Sequence, residues 1–180
     1  MRILRDQTAG LVIDIQEKLF PFISGNETLA RHAGILIQGL QVLKIPLLVT
    51  EQYTKGLGPT IQPVQQFLSG EQVIEKLAFS CCDDPVFMTT LSELNKKFIV
   101  ITGIESHVCV LQTAIDLLEN NFIPVVVEDC VSSRRLNDKE MAITRMRRSG
   151  AIITTYESVL FELLRFSGTE EFKAISRLVK

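Results

Sequence analysis

Residues 97–121, KFIVITGIESHVCVLQTAIDLLENN, contain the stretch that decides the fold. KFIVITG is a continuous apolar run rich in β-branched residues, the pattern of a strand buried on both faces of a parallel sheet. It stops at Gly103, and VCVLQTAIDLLENN then carries apolar residues at helical spacing, with the Asn120–Asn121 pair suited to its end. A buried strand that hands over to an amphipathic helix is half of a parallel crossover unit, because parallel strands need a long connection on one face of the sheet. Cys109 falls at the start of that helix.

The same cadence extends in both directions. Upstream, AGLVIDI at 9–15 is an apolar run broken by one acid, Asp14. A helix follows over 27–43, with Leu29, Ala33, Leu36, Ile37, Leu40 and Leu43 on one face, before the strand PLLVT at 46–50. The loop EQYTKGLGPT leads to an amphipathic piece at 61–68 and a short strand, QVIE at 72–75, that ends at Lys76. Residues 86–95 read as helical. Downstream come the strand FIPVVVED at 122–129, a helix NDKEMAITRMRRSG closing on Gly150, the strand AIITT at 151–155 and a final stretch that reads as helical to the end. Six strands alternating with helices predict an α/β fold, a three-layer, doubly wound, Rossmann-like parallel sheet with helices on both faces, formed by a single domain over residues 1–180.

Composition narrows the function classes. Hydrophobic residues make up 46% and charged residues 22% of the chain, and the formal net charge is −2, so nothing points to nucleic acid or an anionic membrane and a small-molecule ligand is expected. The RMRR run at 145–148 reads as a solvated helix face. No apolar run approaches the roughly 20 residues of a membrane span, and the first residues lack a secretory pattern, so a cytoplasmic location is expected. The four cysteines, at 81, 82, 109 and 130, have no zinc-knuckle spacing, and no nucleotide-binding glycine motif is present.

In open α/β sheets, ligands bind beyond the carboxyl ends of the strands. The polar residues there are Asp14, Thr50 with Glu51, Lys76, the Cys109 loop and Asp129. Three of these make a chemical set. A thiol becomes a strong nucleophile as thiolate, which a cation, a base or a helix start promotes. Lys76 can supply the cation, Asp14 can take and return the proton, and backbone N–H groups beside Cys109 can receive the oxygen of an attacked carbonyl. Each residue alone also has a plainer reading: Cys109 as a packed thiol, Asp14 as the partner of a loop amide or of Lys76, and Lys76 as a solvated surface lysine; Cys81, Cys82 and Cys130 are assigned to packing.

Asp14 in VIDIQEKLF, Lys76 in EKLAFS and Cys109 in GIESHVCVLQTA resemble, in order and context, the Asp/Lys/Cys triad of the isochorismatase-like cysteine hydrolases, a family that includes nicotinamidases and carbamoylsarcosine amidohydrolase. The resemblance also covers VTEQYTKGLGPT and VEDCVSSR, which are most similar to the isochorismatase domain-containing subgroup. It implies hydrolysis of an amide, imide or carbamoyl-type C–N bond. Cys109 would form an acyl-enzyme, with Asp14 as base and acid and Lys76 as electrostatic partner. It further implies a cis peptide between Ile104 and Glu105, and an oxyanion hole from the Glu105 and Cys109 N–H groups. Phe20, Gln52, Tyr53 and Phe79 are expected to wall the pocket, and family members are commonly oligomeric, so a dimer or larger is expected. Metal-dependent nicotinamidases carry Asp-x-His after the second strand. This chain has Glu51-Gln52-Tyr53 there, so neither a metal nor another cofactor is expected. A catalytically silent binding protein on the same fold is the competing reading.

Overall fold

The computed structural model describes residues 1–180. Six parallel strands form one sheet: β1 (Thr8–Ile13), β2 (Leu47–Gln52), β3 (Val73–Lys76), β4 (Phe98–Ile104), β5 (Ile123–Ser132) and β6 (Ile152–Thr154), in the order β3-β2-β1-β4-β5-β6. The helices are α1 (Asn26–Val42), two single turns α2 (Thr54–Leu57) and α3 (Gln62–Gln65), α4 (Pro85–Glu93), α5 (Leu111–Glu119), α6 (Leu136–Ser149), α7 (Tyr156–Leu164) and α8 (Glu170–Leu178). This is the predicted doubly wound architecture, and the order reverses between β1 and β4, where such sheets open a crevice.

Period-two alternation builds both faces. Along β4, Phe98, Val100 and Ile104 join Leu36, Ile37 and Leu40 of α1 and Leu160 of α7, whereas Ile99 and Ile101 join Phe87 of α4, Leu117 of α5 and Met146 of α6. Every residue of β1 and β4 is buried. No helix is long and apolar enough to cross a membrane.

Several boundaries differ from the sequence reading, three of them with consequences for the site or the fold. The first strand stops at Ile13, because Asp14 adopts a left-handed φ of 51° that turns its side chain out of the ladder. The fifth strand runs past Asp129 to Ser132 through an irregularity in its pairing with β4. There Asp129 accepts the Tyr156 N–H at 3.0 Å, so it serves the β5–α7 junction rather than the strand-end cluster. The C-terminal stretch is two helices, parted by positive φ values at Arg165 (71°) and Gly168 (84°).

Candidate active site

Three neighbouring strand ends bring Asp14, Thr50 and Lys76 together. Asp14, just beyond β1, donates its N–H to the Thr50 carbonyl of β2 at 3.1 Å. Its Oδ1 accepts from Thr50 Oγ1 at 2.7 Å, and its Oδ2 accepts from Nζ of Lys76, the last residue of β3, also at 2.7 Å. Lys76 Nζ donates further to the carbonyls of Ala78 (3.0 Å) and Phe79 (3.1 Å), so all three ammonium protons are placed. The Lys76 and Asp14 side chains are 0% and 2% exposed, and in that setting the pair survives only because each charge is matched and hydrogen-bonded.

Cys109 reaches the same carboxylate from the other side of β1. It lies in a π-helical turn, Ser106–Val110, that leads from β4 into α5, it is buried, and the Asp14 carboxylate acts electrostatically on its thiol. Burial pushes the thiol up, the Asp14 carboxylate pushes it further, and Lys76 only partly offsets them. Burial and the neighbouring carboxylate thus both favour the protonated thiol in the resting site. The main physical reason is burial, with the Asp14 charge second, and together they outweigh the pull of Lys76. For Lys76, burial favours the neutral amine, but the hydrogen-bonded Asp14 carboxylate opposes it, and the ammonium is raised above its ordinary value.

Thr50 and Cys81 are the residues that sequence reasoning left out of this cluster. Thr50 is a polar strand end to which the sequence alone gives no task. Cys81, fully buried, sits with Sγ 3.8 Å from Thr50 Oγ1, and burial pushes its thiol up to about 12.

The loop after β4 leads into the Cys109 turn. Gly103 has φ of 149°, and a Cβ there would lie 2.3 Å from the Ile13 carbonyl oxygen, so the close approach of β4 to β1 beside the site requires glycine. The Ile104–Glu105 peptide is cis. The Glu105 side chain is anchored by Arg134, whose N–H and Nε donate to Oε2 at 2.9 and 3.1 Å. His107 Nδ1 lies 2.9 Å from Ser133 Oγ.

The expected pocket residues separate. Tyr53 lines a cavity of about 630 Å³ with Lys76, Leu77, Ala78, Asp83 and Asp84. Phe79 is 54% exposed, and its carbonyl holds Lys76. Gln52 braces this wall, its Nε2 reaching the Leu77 and Ala78 carbonyls at 3.4 Å. Phe20 does not join them. It lines a different cavity with Ala30, Gly34 and Phe67 and packs on the α1 side of the sheet, because the turn after β1 folds it back onto that helix.

A doubly wound α/β domain with an acid, a lysine and a cysteine converging at its strand ends defines a recognisable class. The isochorismatase domain model matches residues 8–158, and the chain belongs to the isochorismatase family. Isochorismatase family protein 1B of Dictyostelium discoideum is 37% identical over 99% of this chain and 89% of its own length. Isochorismatase domain-containing protein 2A of Mus musculus is 34% identical over 99% of this chain and 85% of its own length. Among solved structures, one described as the MAR1 ribonuclease from Caenorhabditis elegans superposes with a TM-score of 0.94 at 37% identity, covering 99% of this chain and 92% of that one. Membership places the chain among hydrolases.

Proposed function

We propose that the protein is a cysteine hydrolase of small amide, imide or carbamoyl-type substrates. The observation that carries this reading is the buried Asp14–Lys76 pair with the buried Cys109 thiol in the field of its carboxylate. As a carbonyl compound enters, the Cys109 proton passes to Asp14 and Sγ bonds to the carbonyl carbon. The oxygen takes up negative charge, which the Glu105 and Cys109 N–H groups receive. Collapse of the adduct breaks the C–N bond, and the leaving nitrogen takes the proton from Asp14. Water then adds to the thioester, gives its proton to Asp14, and the thiol is restored as the acid departs. Lys76 keeps Asp14 oriented throughout.

The cavity lined by Lys76 and Tyr53 is the candidate entrance for a small molecule, although Asp14 and Cys109 are not among its lining residues. Tyr53, Leu77, Phe79 and Val86 expose large apolar surfaces nearby, which supports burial against a second copy in a homo-oligomer. A monomer in sedimentation at micromolar concentration would contradict that. All four cysteines are free, which supports a reducing compartment such as the cytoplasm.

The test is a screen of primary amides, imides and carbamoyl compounds with intact-mass detection. Turnover is expected, with a covalent adduct on Cys109 that Cys109→Ser abolishes; product formation unaffected by that substitution would sink the reading. One observation favours a second reading, the ribonuclease description attached to the C. elegans structure. If RNA rather than small amides is the substrate, RNA cleavage by purified protein will be lost in Cys109→Ser and Asp14→Asn.

A further inference from the structure

We propose that Thr50 is a positioning residue of this site: its hydroxyl, itself oriented by Cys81, fixes the Asp14 carboxylate so that the base faces Cys109. The proposal rests on the hydrolase reading above. Both oxygens of Asp14 are engaged from the β2–β3 side, Oδ1 by Thr50 and Oδ2 by Lys76, each at 2.7 Å. Two donors on two different oxygens stop the carboxylate from rotating about its Cβ–Cγ bond, which a single ion pair would allow.

The direction of the chain follows from proton counting. Thr50 has one hydroxyl proton, and it is given to Asp14. The 3.8 Å contact with Cys81 therefore runs from the Cys81 S–H to Thr50 Oγ1. Cys81 is held in turn by its own N–H, which donates to Thr113 Oγ1 at 2.9 Å, and Thr113 lies four residues beyond Cys109 on the same helical run. A series Cys81 S–H, Thr50 O–H, Asp14 carboxylate is polarised in one sense, and each bond strengthens the next. The second buried thiol thus acts as an orienting donor and not as a spare nucleophile.

The experiment is iodoacetamide labelling of the folded protein across pH, read at Cys109 by peptide mass, on wild type, Thr50→Val, Thr50→Ser and Asp14→Asn. Without the Thr50 donor the Asp14 charge is less well matched and repels a nascent thiolate more. In Thr50→Val the Cys109 midpoint should move up and the rate at pH 8 should fall about tenfold, the equivalent of one pH unit. Thr50→Ser should stay within about twofold of wild type, since it keeps the donor. Asp14→Asn should move the midpoint the opposite way, because the repelling charge is gone. A Thr50→Val protein that labels like wild type, or whose midpoint falls, overturns the assignment. Should Thr50→Val not fold, Cys81→Ala is read instead. It should show a smaller upward shift, and no shift would count against the assignment. Indifference of Cys109 to Asp14→Asn would remove the hydrolase reading itself, whereas a response to Asp14→Asn with none to Thr50→Val removes only the role of Thr50.

Discussion

Lys76 Nζ lies 2.7 Å from Asp14 Oδ2 across the end of β2, with both side chains withdrawn from solvent. A buried pair of this kind contributes little against a well-packed apolar replacement, but removing one partner strands the other charge. Lys76→Met should therefore destabilise the protein by about 3–5 kcal/mol in urea unfolding. The double variant Asp14→Asn/Lys76→Met should cost clearly less than the two single effects added together. Additive costs would mean that the two side chains are not energetically coupled.

Alkaline stability follows from the thiols. Burial pushes Cys81 and Cys82 up to about 12, and pushes Cys109 and Cys130 up as well, from an ordinary value of 9.0. Groups whose folded value is raised keep their protons in the folded chain while the unfolded chain releases them. Their stabilisation is complete below about pH 9 and is lost as pH rises toward 12. Lys76 acts in the same sense at still higher pH, since its folded value is also raised, from 10.5. Unfolding free energy should fall with a slope of up to about 1.4 kcal/mol per pH unit for each buried thiol. Cys81→Ala should flatten that slope between pH 9 and 11, whatever it does to absolute stability. A flat profile in wild type over this range would contradict the assigned burial.

The six strands and the polar residues Asp14 and Lys76 at their ends were legible because they rest on local signals: apolar runs of fixed length, and polar residues where those runs stop; the order of the strands in the sheet was not. The left-handed turn at Asp14 was not, since it depends on the N–H of that residue finding the Thr50 carbonyl on another strand. Thr50 and Cys81 were hidden for a related reason. A threonine at a strand end and a cysteine in a loop say nothing alone, and only packing of β2, the segment after β3 and α5 makes them one hydrogen-bonded series. Phe20 was misassigned because closeness in sequence to Asp14 does not determine which side of the sheet the turn after β1 covers. Burial of Cys109, which the sequence does not display, favours its thiol, and the Asp14 charge acts in the same sense.

Gly103 ties backbone geometry to the site. A methyl group there would meet the Ile13 carbonyl oxygen at 2.3 Å and the Ile13 Cα at 2.9 Å, both on the strand that carries Asp14. Backbone atoms cannot swing aside as a side chain can, and the positive φ adds its own penalty for an L-residue. Gly103→Ala should cost about 2–4 kcal/mol and depress Cys109 labelling along with stability. Gly25→Ala is the control: its φ is also positive, at 66°, but no atom lies within 4 Å, so it should cost only about 1 kcal/mol. Equal costs at the two glycines would show that φ alone, and not the approach to Ile13, sets the requirement.

Ser106 and Ser132 give a paired test of how buried hydroxyls are satisfied near the Cys109 turn. Ser106 Oγ is the buried side-chain oxygen that has no hydrogen-bond partner, although the residue is fully buried. Ser132 Oγ, by contrast, donates to the Ser24 carbonyl at 2.7 Å. An unsatisfied buried hydroxyl has surrendered its water bonds without replacement, whereas a satisfied one recovers about 1 kcal/mol net and leaves an orphaned carbonyl if removed. Ser132→Ala should therefore cost about 1–2 kcal/mol, and Ser106→Ala should be neutral or stabilising by up to about 1 kcal/mol. Urea unfolding of the two variants side by side checks the ordering. Destabilisation by Ser106→Ala as large as that of Ser132→Ala would mean that the Ser106 hydroxyl has a partner in the folded protein after all.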